Sequence, residues 1–312
     1  MSAVGGFSQT RLGRFLSVSF NQPLGQRIEP EGVGGYYVDM RVKARTPTWP
    51  TPDFGALDRT MKVAIAQWGL GAFEHWLETG SEEWLAAARS AANHFVSTQV
   101  REGPLAGGWP HVQSFPHSYE LPAGWLSGMA QGEAASLLVR VHAETGDDAL
   151  AEAAVRGLGP LSVPTAEGGV LASLDGGPWF EEYPTEPASM VLNGGIFAIW
   201  GVRDVAVGLG DPDAGRLFES ALDTLGAGID RWDLGYWSRY DLYPHRRVNV
   251  ASNAYHELHI DQLAAMNAIA PRPALVEAEE RFRRYHARRV NQTRAFAGKV
   301  AFRLAVPREK IE

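Results

Sequence analysis

Apolar residues recur along this chain at helical spacing in long blocks, and short turns, three of them glycine-bearing, join the blocks in pairs. Four such pairs stand out. Residues 57–78 lead through Thr79-Gly80-Ser81 into 82–100, and 125–144 lead through Thr145-Gly146-Asp147 into 148–158. Residues 190–208 lead through Leu209-Gly210-Asp211-Pro212 into 213–230, and 255–268 lead through 269–273 into 274–290. The turn glycines Gly80, Gly146 and Gly210 lie 66 and then 64 residues apart, the signature of a repeated helix pair. In these three pairs a glycine ends the first helix where a left-handed residue is needed, and Ser81, Asp147 or Asp211 is placed to cap the second.

The members of a pair differ. Second helices are amphipathic: Trp84, Ala88, Ala91 and Phe95 share one face, as do Leu217, Ala221, Leu222 and Leu225. First helices carry small and apolar residues on several sides, as in Gly128-Met129-Ala130-Gln131-Gly132 and Gly194-Gly195-Ile196-Phe197-Ala198. This contrast predicts a mainly α fold, an α/α toroid with first helices inside and second helices outside. Within-pair turns are short, whereas the connections 101–124, 159–189 and 231–254 exceed the length at which an unstructured loop is ordinary. All three emerge at one end of a toroid and are rich in Trp, Tyr, Glu, His and Arg, which places the chemistry there. Residues 170–180, with Asp175-Gly176-Gly177 inside, read as a small hairpin. The predicted organisation is an extended arm over 1–50, a catalytic toroid over 51–290 and a basic tail over 291–312.

Composition narrows the class. An apolar fraction of 45% with 21% charged residues describes a globular protein. No run approaches the roughly 20 apolar residues of a membrane span. Residues 1–20 show no apolar segment after Arg11 and Arg14, so no signal peptide is expected; the compartment stays open, the cytoplasm included. The absence of cysteine removes thiolate chemistry and disulfides, and a net charge of −7 argues against a nucleic-acid partner. The region after Arg272 is basic, either as a solvated helix face or as an attractor of a polyanion such as an acidic polysaccharide.

The long connections and the helix starts after them resemble a known family. Gly107-Gly108-Trp109-Pro110, the run from Leu121 to Gly132, Trp179-Phe180-Glu181-Glu182-Tyr183-Pro184, Val191-Leu192-Asn193-Gly194, Tyr240-Asp241-Leu242 and Tyr255-His256-Glu257-Leu258-His259 are similar, in order, to the C-terminal helical domain of the D-glucuronyl C5-epimerases. The resemblance covers about residues 107–285. It implies epimerisation of D-glucuronosyl to L-iduronosyl units in a heparosan-like glycan, with Tyr183, Tyr240, Tyr255 and Glu182 as the catalytic group. One departure concerns the Arg-His that follows Tyr-Asp-Leu in the family, where this chain reads Tyr243-Pro244-His245-Arg246. Another is the near absence of the β-rich domains that precede the helical one in the animal enzymes.

The chemistry of such a reaction can be set out independently. A hydrogen alpha to a carboxylate is a weak acid whose removal builds an enolate dianion. The site needs a base, a group that neutralises the carboxylate and an acid on the other face. Tyrosine serves as the acid directly. As a base it needs help, since ionising a phenol at pH 7 costs roughly 4 kcal/mol from its reference pKa. A cation beside the tyrosine, from Arg239, His245, Arg246 or Arg247, or Glu182 acting as the base, would supply that help. Trp109 and Trp125 are candidate sugar-stacking residues, Gln131 and Asn193 candidate hydroxyl partners, and His256 a substrate contact. Each has a packing role as its alternative. His256 and His259 stand at i and i+3 without a third ligand, so no metal is expected, and an overall redox-neutral proton exchange needs no cofactor. A homodimer of two toroids would extend a groove for a polymer. The same residues leave open a uronate lyase, a uronyl hydrolase using Glu182 and Asp241, and a glycan-binding module.

Overall fold

A computed structural model describes residues 22–49, 61–116 and 118–307. The reading of residues 1–20 and the start of the first helix at residue 57 lie outside the described residues. The protein is mainly α. Its helices are α1 (Lys62–Thr79), α2 (Glu82–Thr98), α3 (Gly128–Thr145), α4 (Asp148–Gly157), α5 (Leu192–Gly208), α6 (Pro212–Gly228), α7 (Asn253–Ile269), α8 (Pro273–His286) and α9 (Arg289–Ala305). Two antiparallel hairpins interrupt the connections, β1 (Phe115–Pro116) with β2 (Glu120–Leu121) and β3 (Leu171–Leu174) with β4 (Gly177–Phe180). The second turns through Asp175 and Gly176, both at positive φ, as expected from the Asp-Gly pair.

The helices form two layers. α1 packs on α3, α3 on α5 and α5 on α7, while α2, α4, α6 and α8 back them and contact one another where α2 meets α4 and α6 meets α8. The inner helices are buried almost all round, and the outer ones bury a single face. α3 and α5 approach most closely. A Cβ added to Gly201 would come within 2.3 Å of Gly132 Cα, and one added to Gly132 within 2.5 Å of Ala198 Cα, so backbone meets backbone at these positions.

Local chemistry explains the helix ends. Gly80 and Gly146 take the left-handed conformation at φ 66° and donate their N–H groups to Trp76 and His142. Asp147 accepts from Ala149 N–H, and Asp211 from the N–H groups of Asp213 and Ala214. Ser81 sits at the start of α2 without a side-chain capping bond, contrary to the expectation from sequence. Ser127 and Ser252 instead cap the inner helices α3 and α7, accepting from Ala130 and Tyr255.

Two segments outside the four helix pairs pack against the core. The segment 22–49 is extended but not peripheral: Tyr36, Tyr37, Val38 and Met40 are buried in the main core. It touches all four inner helices. Tyr36 N–H bonds Glu74 of α1, Arg140 of α3 reaches the carbonyls of Gly34 and Gly35, Tyr37 stacks at 4.4 Å on Trp200 of α5, and Leu24 bonds Asp261 of α7. The stretch expected as a basic tail carries α9, because Ala295, Lys299 and Phe302 form a face that packs inward.

At the centre of the arm's contact, Arg140 Nη1 lies 2.5 Å from Asp204 Oδ2 with both side chains almost wholly enclosed, and Tyr37 donates to Asp204 Oδ1 at 2.7 Å. Removing one member of a buried pair strands the other charge. Asp204→Asn is therefore expected to lower stability by about 3–5 kcal/mol in urea unfolding followed by circular dichroism.

Candidate active site

The connections after α2, α4 and α6 meet over the first turns of α3, α5 and α7. Their alignment is carried by backbone bonds between loops: Leu192 N–H to Tyr240 O at 3.2 Å, Leu242 N–H to Ser189 O at 3.0 Å, and Gly128 N–H to Glu181 O at 2.7 Å. Glu181 fastens its own loop. Its carboxylate accepts from Ser189 N–H and Met190 N–H at 2.8 and 2.9 Å and from the Ser189 hydroxyl, so the chain folds back over eight residues. That turn presents Glu182 and Tyr183 to the start of α5. Gly194 makes room, because a Cβ there would stand 2.4 Å from Glu182 Oε2.

Tyr183, Tyr240, Tyr119, Trp125, Leu121 and Val191 form a separate buried cluster, with Tyr255, Tyr243 and Met61 packed on it. Tyr183 donates its hydroxyl to Glu182, and Tyr240 donates to Tyr183. The Tyr240 and Tyr255 rings meet edge to face at 4.8 Å. Three phenols and one carboxyl, from two connections and the first turn of α7, thus form a continuous contact. Tyr119 tilts over Tyr183 at 5.0 Å and donates to Asp241. Asp241 also accepts from Asn249 Nδ2 at 2.5 Å and lies 3.3 Å from His245 Nε2.

Burial sets the electrostatics. Desolvation pushes Glu182 up to about 8, opposed by the Tyr183 hydrogen bond and assisted by the nearby Glu181 and Asp241 carboxylates. Glu181 rises to about 7 from the same dominant cause, opposed by its hydrogen bonds. Burial also holds Tyr183 and Tyr240 well above the ordinary phenol value, with the Glu182 charge adding to it. Tyr183 and Tyr240 are therefore protonated at neutral pH, and Glu181 and Glu182 are the groups poised near it.

The other sequence candidates divide. Trp125 belongs to the cluster, 5.9 Å from Tyr183 and stacked at 3.9 Å on His111, whose pKa burial lowers to about 4. Asn193 lies beside Glu182 in the first turn of α5, its carbonyl accepting from Gln262 and its buried Oδ1 without a protein partner. His245 braces Asp241, and Arg239 spends its Nε on the Asp241 carbonyl at 3.1 Å. Arg246 and Arg247 are solvent-exposed on that loop.

Three expectations are corrected. Trp109 is fully enclosed between α2 and α4, with Nε1 on the Phe95 carbonyl, so no sugar face reaches it. Gln131 accepts from Trp109 N–H at 3.0 Å and donates to the Gly157 and Gly107 carbonyls at 2.7 and 3.3 Å, which uses its amide for packing. His256 is sandwiched under Trp237 at 3.8 Å. Its Nδ1 accepts from Ser238 N–H, which leaves Nε2–H for the Phe282 carbonyl at 3.1 Å. Buried donors and acceptors must be matched locally, and these three are. Among the described residues no three His, Asp or Glu side chains converge as metal ligands, and no helix is long and apolar enough to cross a membrane.

Tyr119, Asn249 and Lys299 were not anticipated as part of the site. Tyr119 sits in the long connection 101–124 and Asn249 in 231–254, but nothing local marks either. Lys299 comes from α9, outside the four helix pairs.

The raised carboxyls bear on stability. Both Glu181 and Glu182 titrate higher folded than unfolded, so the folded state keeps protons that the unfolded chain releases. Their contribution is full below about pH 4.5 and is lost as pH rises through about 7 to 8, at up to about 1.4 kcal/mol per pH unit for each group. Glu182→Gln is expected to flatten the fall of melting temperature between about pH 5 and 8, measured by scanning calorimetry; an unaltered slope would mean that Glu182 titrates normally.

Comparison with known proteins identifies a family. The family model for the D-glucuronyl C5-epimerase C-terminus matches residues 101–284, which hold every member of the tyrosine–glutamate contact. A D-glucuronyl C5-epimerase of Caenorhabditis elegans is 29% identical over 220 residues, 64% of this chain and 35% of that protein. An uncharacterized protein of Methanocaldococcus jannaschii is 30% identical over 155 residues, 48% of this chain and 49% of that one. The chain thus spans between about a third and a half of the length of these relatives. With more than half of its residues matched, and the three connections that build the site among them, the chain belongs to the D-glucuronyl C5-epimerase C-terminal family.

Proposed function

We propose that this protein epimerises C5 of D-glucuronosyl residues in a heparosan-like glycan. The observation that carries the reading is the buried relay in which Tyr240 donates to Tyr183 and Tyr183 to Glu182, with Tyr255 against the far ring. It addresses the weakness of tyrosine as a base. When the Tyr183 oxygen takes the C5 proton, its own proton passes to Glu182, so no free phenolate has to be formed beforehand. The hydrogen bond from Tyr240 stabilises the charge that develops on Tyr183. Glu182, at about 8, lies where it both accepts and returns a proton near neutral pH.

Removal of the proton leaves the C5 electron pair delocalised into the carboxylate as an enolate. Tyr255 then supplies a proton to C5 from the opposite side, which inverts the centre. The net displacement of one proton from Tyr255 to Glu182 is reset through the same phenols, since Tyr240 touches both Tyr183 and Tyr255. The lone Oε2 of Glu182 and Oδ1 of Asn193 are buried acceptors that suit sugar hydroxyls. The reaction calls for no cofactor. A glucuronate-containing polysaccharide or oligosaccharide is the partner this chemistry requires, and a dimer that lengthens the groove stays part of the proposal.

Incubation of an N-acetylated or N-sulfated glucuronosyl-glucosamine polymer in D₂O, followed by proton NMR, tests the reading. Deuterium at C5 together with new iduronate signals is the expected result. Unsaturated uronate ends would assign a lyase, and new saturated reducing ends a hydrolase. Tyr183→Phe and Tyr255→Phe are each expected to lower kcat by roughly 10²–10⁴-fold. They should differ in outcome, one retaining wash-out of label from glucuronate and the other from iduronate.

A further inference from the structure

α9 lies beyond residue 284, where the family match ends, yet it spans two of the three connections that build the site. Ala295 packs with Trp237, Val250 and Ala251, Phe302 meets His245 edge to face at 5.0 Å, and Arg303 donates to Ser118 Oγ at 2.8 Å. Its inward face carries one cation. Lys299 is buried, with Nζ 2.8 Å from Asn249 Oδ1 and 5.3 Å from the Tyr240 ring centroid.

The bond to Asn249 has a directional consequence. An amide has one oxygen and one NH₂ group, indistinguishable in shape. A lysine ammonium only donates, so it fixes the Asn249 oxygen toward α9 and the NH₂ toward Asp241, 2.5 Å away. Asp241 in turn receives the Tyr119 hydroxyl, and Tyr119 leans on Tyr183. The Asn249 carbonyl also accepts from Tyr240 N–H at 2.8 Å, so the same residue sets the backbone of a second tyrosine. Lys299 thereby stands at the head of two paths that end on the relay.

We propose that Lys299 is a positioning residue for the tyrosine relay: from α9 it orients Asn249, and through Asn249 it holds Asp241, Tyr119 and Tyr240 in register with Tyr183. As a statement about catalysis this rests on the epimerase reading; as a statement about the geometry of the relay it does not. The titratable groups that face Lys299 include Tyr240, under its Nζ, and His259 on α7, whose charged form it disfavours.

The test has two arms on the full chain. In the first, tyrosines labelled with ¹³C at Cζ are observed by NMR without substrate, with the Tyr119 and Tyr240 signals assigned through Tyr119→Phe and Tyr240→Phe. Lys299→Met should displace both signals and Lys299→Arg should restore them, while Arg289→Met, which removes an exposed charge from the same helix, should leave them in place. Unmoved signals in Lys299→Met would overturn the proposal. In the second arm, C5 deuterium exchange should show kcat lowered by roughly 100-fold in Lys299→Met with KM little changed, and recovered in Lys299→Arg. A kcat that stays normal, or one that Arg fails to recover, would reduce Lys299 to a packing residue. If wild-type protein exchanges no deuterium, the epimerase reading fails while the NMR arm still decides the role of Lys299. Should Lys299→Met not fold, Lys299→Gln and Asn249→Leu carry the same expectations.

Discussion

The backbone contact between α3 and α5 governs the rest of the molecule. Gly132 and Gly201 let the two inner helices approach until no side chain fits between them. Helices that close hold their first turns together, and on those turns stand Gly128 and Gly194. The Glu181-Glu182 turn is wedged into that junction, bonded to Gly128 by its backbone and given space by Gly194. The position of the candidate base is thus a consequence of helix packing rather than of loop conformation. Dense interiors transmit such constraints because they have no slack to absorb them.

Burial then converts geometry into chemistry. Glu182 and its neighbours are removed from water by the connections that carry them, and desolvation lifts a carboxyl from its ordinary range to the pH at which a reversible proton transfer is useful. The adjacent glutamates illustrate how position alone separates function from structure. Glu181 directs its oxygens to two backbone N–H groups and a serine, and so shapes a turn. Glu182 accepts from Tyr183 with one oxygen and leaves the other unpaired. The segment 22–49 serves the same end from the other side, tying the four inner helices together away from the tyrosines through Tyr37, Arg140, Arg203 and Asp204. The inner helices are braced by this segment, while the connections over their first turns carry the candidate site.

Sequence by itself determined the helix pairs, their turns and the face on which the long connections meet. Periodicity, glycines and capping aspartates act within a few residues, so their signal survives in one dimension, and the Asp175-Gly176 hairpin is legible for the same reason. Tyr183, Tyr240, Tyr255 and Glu182 were legible through family resemblance, and their chemistry supplied a reason for it. Only the tertiary structure decided which polar residues beside them are satisfied by protein. Trp109, Gln131 and His256 carry the same residue types as a sugar site but find partners in Phe95, Gly157 and Phe282, far off in the chain. Lys299 is the reverse case, an ordinary lysine in a basic stretch until α9 folds across Asn249. Hydrogen-bond satisfaction and burial are properties of neighbours in space, and no local pattern encodes them.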